Sequence, residues 1–123
     1  MVTDNELVDK VALKQRGNIQ ILTLKNSIQT PEAEQIEMKL ESLYQGEKYH
    51  IIIDMSRTNH ICSSALGVLV SYKRNFTEKN GDIRLVFKSD ELKQLFEVTM
   101  LDKVFEIYYN LQEALDVYSS AHG

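Results

Sequence analysis

Three consecutive isoleucines, Ile51-Ile52-Ile53, constrain this chain's fold more than any other feature. Successive side chains of a strand point to opposite faces of its sheet, so an unbroken β-branched run has no solvent side. A strand of that kind must be covered above and below, which is the mark of a parallel sheet in an α/β domain. The run therefore predicts a buried strand over residues 49–55.

The flanking sequence supplies partners for that strand. "NIQILTLK", Asn18 to Lys25, alternates apolar and polar, and with Val11 and Leu13 it predicts a hairpin around Arg16-Gly17-Asn18. Thr30-Pro31-Glu32 reads as a helix start: a capping residue, a proline in the first turn and an acid near the positive end. Ala33, Ile36, Leu40, Leu43 and Tyr44 then recur at helical spacing, and Gly46 ends the run. From Ser64 to Phe76, Ala65, Leu69, Tyr72 and Phe76 share one helical face, and Asn80-Gly81 stops that helix. Residues 83–87 read as a strand, 91–98 as a short helix, 104–107 as a short edge strand, and Leu111, Ala114, Leu115 and Tyr118 as a last amphipathic helix. The predicted order is β-β-α-β-α-β-α-β-α, an α/β domain with a largely parallel sheet after an opening hairpin. A length of 123 residues, 43% of them hydrophobic, suits a single domain with one packed core.

Several function classes find no support. The net charge of −4 repels a phosphate backbone, which argues against direct nucleic-acid binding. No apolar run approaches the ~20 residues of a membrane span. The first six residues lack the basic-then-apolar order of a signal peptide, so a cytoplasmic location is the default expectation. Cys62 is the one cysteine and the three histidines are scattered, so no metal site or cofactor is expected. "CSSALG" is not a G-x-S-x-G elbow, and neither a phosphate-binding P-loop nor a dinucleotide fingerprint is present. No enzyme activity is expected, and His60 reads as a polar loop residue.

The stretch "HICSSALGVLV", from His60 to Val70, joins the buried strand to the central helix. Ser63 falls at the N-cap or just before it, where its hydroxyl would stabilise the helix by about 1 kcal/mol. The same position is also an anion site, because free N–H groups and the positive dipole end meet there. A phosphate on Ser63 would be tolerated by the fold and would place roughly −1.5 to −2 charges at the surface. Continuing the helical angle, Ser63, Gly67, Val70 and Arg74 line the side away from Ala65, Leu69 and Phe76. Gly67 costs roughly 1 kcal/mol in a helix interior, and either the approach of another chain or packing inside the domain accounts for it. Cys62 reads as a small buried residue, with an oxidant-sensing thiol at a helix N-terminus as the alternative.

Three segments in order carry a family resemblance: "IIIDMS" followed by "ICSSALGVLVSYKRNFTEKNGDIRLV", the run Thr99 to Phe105, and "LQEAL" from Leu111. Over residues 18–118 they resemble the STAS domain of anti-sigma factor antagonists, also appended to sulfate transporters. The resemblance implies a single STAS-like domain spanning 1–123, with a mixed, largely parallel sheet of about four or five strands and helices mainly on one face. It further implies a regulatory protein that binds an anti-sigma factor with serine-kinase activity, and that is released when a serine at the start of the central helix is phosphorylated. That serine aligns with Ser63, and Ser64 is the second candidate. The implied partner surface comprises Gln29, Thr30, Arg57, Thr58, Asn59, Cys62, Ser63, Ser64, Gly67, Val70 and Arg74, with a second copy of the chain as another partner. A small-ligand or lipid sensor without phosphorylation is the alternative. Three positions depart from the family pattern: Cys62 and Gln29 stand where acids are common, and Met100 where glycine is common.

Overall fold

The computed structural model describes residues 10–122, with side chains to residue 118. The N-terminal six residues read for targeting, and the side chain of His122, lie outside the described residues. Five strands form one sheet in sequence order. They are β1 (Val11–Arg16), β2 (Ile19–Ile28), β3 (His50–Ile61), β4 (Asp82–Val86) and β5 (Ile107–Tyr108). Among the described residues four helices accompany them: α1 (Thr30–Gln45), α2 (Ser63–Glu78), α3 (Asp90–Val98) and α4 (Leu111–His122). A 3-10 turn at Leu101–Lys103 is an addition to the predicted order. β1 and β2 are antiparallel around Gly17, whose φ of 59° suits a two-residue hairpin loop. All other neighbours are parallel.

The strand order explains the layering. Each parallel crossover steps one strand further in the same direction, so crossovers of one hand put α1, α2 and α3 on one face. Ile51 and Ile53 pack there with Leu22, Leu24, Ile36, Leu40, Leu69 and Phe76. Ile52 points the other way, into a smaller cluster with Ile21, Val86, Ala114, Leu115 and Tyr118 beneath α4. All three isoleucines are fully buried, each worth about 1.5–3 kcal/mol against exposure. The triple run is thus covered on both faces, by three helices on one side and by α4 on the other.

β3 runs twelve residues, well past the predicted end at Met55. Its second half, read from sequence as a loop at Arg57-Thr58-Asn59, pairs with β2 as far as Ile28↔Ile61. Two register shifts interrupt that pairing, between Thr23 and Lys25 and between Asn26 and Ser27. Such irregularities break the alternation by which a strand is recognised.

Helix α3 ends with Met100 in the left-handed region, at φ 63° and ψ 17°. A side chain there costs about 1–2 kcal/mol, and glycine does not incur that cost. The 58% exposed Met100 recovers little by packing. Met100→Gly is therefore expected to raise stability by about 0.5–1 kcal/mol once the added freedom of the unfolded chain is subtracted. A shift of the urea midpoint to higher concentration at unchanged m would verify it.

Two buried phenols set an alkaline limit. Burial raises the Tyr72 pKa, and its hydroxyl also donates to Glu41 Oε1 at 2.6 Å. Burial likewise raises that of Tyr118, helped by the charge of Asp82. The folded-state values lie above the ordinary value of about 10. Their contribution is therefore complete below pH 10 and is lost as the pH rises through the folded values, because the unfolded chain ionises first. Stability measured by urea should fall from about pH 10 upward, with phenolate absorbance appearing together with unfolding. Ionisation of both groups near pH 10 in the folded protein would contradict this.

Candidate functional site

The site is built where β2 and β3 end side by side. Ile28 and Ile61 are register partners, and the Cys62 N–H donates to the Ile28 carbonyl at 2.9 Å. The next residues on each strand start a helix, Gln29-Thr30 for α1 and Cys62-Ser63 for α2. Gln29, Thr30, Cys62, Ser63 and Ser64 are thereby brought to one end of the sheet.

The capping assignment changes by one residue. Cys62 is the N-cap of α2, and Ser63 is its first helical residue. No side chain caps this helix. Its first intrahelical bond runs from the Leu66 N–H to the Cys62 carbonyl, at 3.1 Å. The N–H groups of Ser63, Ser64 and Ala65 have no acceptor among the described residues. The other three helices differ. Glu32 Oε1 accepts from the Gln29 N–H at 2.7 Å, Ser89 Oγ accepts from Glu91 and Leu92, and Asn110 Oδ1 accepts from Glu113 at 2.8 Å. The first turn of α2 carries no acid. Its start is therefore an exposed positive dipole end with unused donors.

The two serines are not equivalent. Ser64 Oγ lies 3.1 Å from Cys62 Sγ, whereas the exposed Ser63 hydroxyl has no partner among the described residues. Cys62 itself is partly buried against the main core. No hydrogen bond joins Ser63 to His60 or to a carboxylate among the described residues. Nor do those residues gather three or more His, Cys, Asp or Glu side chains into a metal-binding group.

Along α2, Gly67 and Arg74 are exposed, as the helical angle predicts. A Cβ built on Gly67 would meet nothing within 4 Å, so packing inside the domain does not explain this glycine. Gly67→Ala should stabilise the fold by about 1 kcal/mol, read as a higher melting temperature. Loss of stability would mean that the open space is not real. Val70 is less exposed than expected and packs partly on the core.

Thr58 departs from the expected surface. It is 2% exposed, and its hydroxyl donates to the Leu24 carbonyl at 2.9 Å, so its side chain holds β3 to β2 instead of facing a partner. Arg57 and Asn59 are exposed and open on a separate polar cleft with Asn26, Ser27, Lys88 and Ser89, which Ser63 does not line. Sequence reasoning missed Asn26, Lys88 and Ser89. The one local signal was Ser89 before Asp90-Glu91, a helix start.

With this geometry in place, comparison with known proteins is informative. A family model for the STAS domain matches residues 10–114. The chain belongs to the STAS domain family. Among curated relatives, a candidate anti-sigma factor antagonist of Bordetella bronchiseptica, BtrV, is 19% identical over 112 residues, covering 91% of this chain and 97% of the relative. The STAS fold is shared with the crystal structure of a candidate anti-sigma factor antagonist of Thermotoga maritima, at a TM-score of 0.82 and 20% identity over 89% of this chain and 94% of that one. It is also shared with the Bacillus cell fate determinant SpoIIAA in its phosphorylated form, at a TM-score of 0.71 and 21% identity over 86% and 96% of the two chains. This STAS domain is thus anti-sigma factor antagonist-like, a regulatory class, and no helix among its described residues is long and apolar enough to cross a membrane.

Proposed function

We propose that this chain is an anti-sigma factor antagonist that binds an anti-sigma factor with serine-kinase activity through the start of α2, and that phosphorylation of Ser63 releases it. The observation that carries this reading is the uncapped start of α2, with an exposed Ser63 hydroxyl beside the unused N–H donors of the exposed Ser63 and Ser64. Those donors suit a phosphate without disturbing the helix, so modification would alter the surface and leave the fold intact. The Cys62 contact of Ser64 favours Ser63 as the acceptor. Gly67, one turn on and open to solvent, lets a partner's backbone approach the helix closely. Gln29 and Thr30, at the adjoining helix start, widen the surface, while Arg57 and Asn59 belong to it only if the partner reaches the neighbouring cleft.

The experiment is a calorimetric titration of this chain into each anti-sigma factor with serine-kinase activity from the same organism, repeated after incubation with ATP. Binding before ATP, followed by mass-spectrometric phosphate on Ser63 and loss of affinity, is the expected result. Tight binding with phosphate elsewhere, Ser64 first, would move the switch. No binding to any such factor would overturn the reading.

A further inference from the structure

The face of the sheet under α4 is only half covered. α4 packs on β3, β4 and β5 and covers Ile19 and Ile21 of β2, while Ala12 and Lys14 of β1 and Thr23 and Lys25 of β2, further along the same face, line an open cleft. There β1, β2 and β3 form a cleft of about 400 Å³. Register places Ala12, Thr23 and Asp54 in one row across the three strands. Lys14, opposite Ile21, lies on one side of that row, and the register partners Lys25 and Arg57 lie on the other. All six line the cleft.

Arg57 reaches this face by a device of the backbone. From Thr23 to Lys25 β2 advances two residues, while β3 advances three, from Asp54 to Arg57. Plain alternation would turn Arg57 to the face opposite Asp54, and the extra residue turns it back. Asp54 Oδ1 fixes the irregularity by accepting the Ser56 N–H at 3.1 Å and the Ser56 hydroxyl at 2.7 Å. Three cations and one carboxylate give the cleft a local charge of +2 within a chain of net charge −4. None of the three cations forms an ion pair with a carboxylate among the described residues.

We propose that this cleft binds a small molecule carrying a phosphate group. The local charge of +2 balances a phosphate that is dianionic near neutral pH. The Arg57 fork suits two phosphate oxygens at once, and the lysines supply point charges on either side. The volume lies in the range of small-molecule sites, and like-signed walls in a concave site concentrate the field. The site is separate from the α2 surface and does not rest on the function proposed there.

The test titrates the full chain with inorganic phosphate and pyrophosphate at constant ionic strength, with sodium chloride as the control. Saturable heat and a rise in melting temperature are expected with pyrophosphate and not with chloride. Lys25→Gln and Arg57→Gln should each weaken binding by about tenfold or more, with circular dichroism unchanged. Ser63→Ala should bind like the wild type. A response no larger than that of chloride would overturn the proposal, and so would wild-type affinity in both glutamine variants. Capture of an acidic peptide by these cations without any pyrophosphate binding would also overturn the small-molecule assignment.

Discussion

Replacing Gly81 by alanine is expected to cost about 3 kcal/mol or more, enough to leave much of the protein unfolded at moderate temperature. A Cβ at this position would sit 2.0 Å from the Tyr49 carbonyl oxygen and 2.5 Å from the Tyr49 Cβ. One is a backbone atom and the other is bonded directly to the backbone, one residue before β3, so neither can swing aside as the end of a flexible side chain would. The same Tyr49 carbonyl accepts the Asp82 N–H at 2.9 Å, so pushing it away breaks a hydrogen bond at the point where β4 joins β3. The Tyr49 ring packs against Tyr44 and Phe76, with centroids 5.7 and 6.1 Å away, so the displacement is transmitted into the main core. Gly81 does not take the left-handed turn after α2; Asn80 does, at φ 64°. The cost is therefore steric and not conformational. Urea unfolding monitored by circular dichroism measures it, and a variant within 1 kcal/mol of wild type would mean that the two strands do not approach so closely.

Ser63→Asp is expected to act in opposite directions on fold and on binding. At the first position of α2 a carboxylate sits at the dipole end beside the unused donors of Ser63 and Ser64, so the domain should gain about 0.3–1 kcal/mol. At the proposed interface the same charge is desolvated against a surface suited to a neutral hydroxyl, and affinity for the anti-sigma factor should fall roughly a hundredfold. The opposite signs make the outcome diagnostic, because a more stable variant that no longer binds has not lost its partner by unfolding. Ser63→Ala should keep both fold and binding, and Ser64→Asp should have the smaller effect on binding. Undiminished affinity in Ser63→Asp would remove Ser63 from the contact.

Much of the architecture was legible because it rests on periodicity. The isoleucine run, the Ala33-Ile36-Leu40-Leu43 stripe and the Ala65-Leu69-Tyr72-Phe76 stripe are all buried as predicted. The position of Met100 was also legible as a departure from a glycine-favouring pattern, and its positive φ supplies the reason for that pattern. The site was read less completely. The family resemblance grouped Gln29 and Thr30 with Ser63, and the end-to-end pairing of Ile28 with Ile61 supplies the physical reason they lie together. The burial of Thr58 was not legible, because it depends on a hydroxyl reaching a carbonyl 34 residues earlier in the chain. Likewise Lys14, Lys25, Asp54 and Arg57 come from three different strands and show no common spacing.

The sequence by itself determined the fold class, the order of the elements, the inward face of each main helix and the place of the serine pair. These depend on local spacing and on the requirement that apolar side chains leave water, both of which are written along the chain. Only the tertiary structure decided that Cys62 is the N-cap, that β3 continues through Ile61, that Gly81 lies against Tyr49 and that Arg57 turns toward Asp54. Each of these depends on which residue of one strand stands opposite which residue of another. Register is a long-range property: one extra residue in β3 turns Arg57 to the other face, a second between Thr58 and His60 restores the alternation, and no local pattern records either shift.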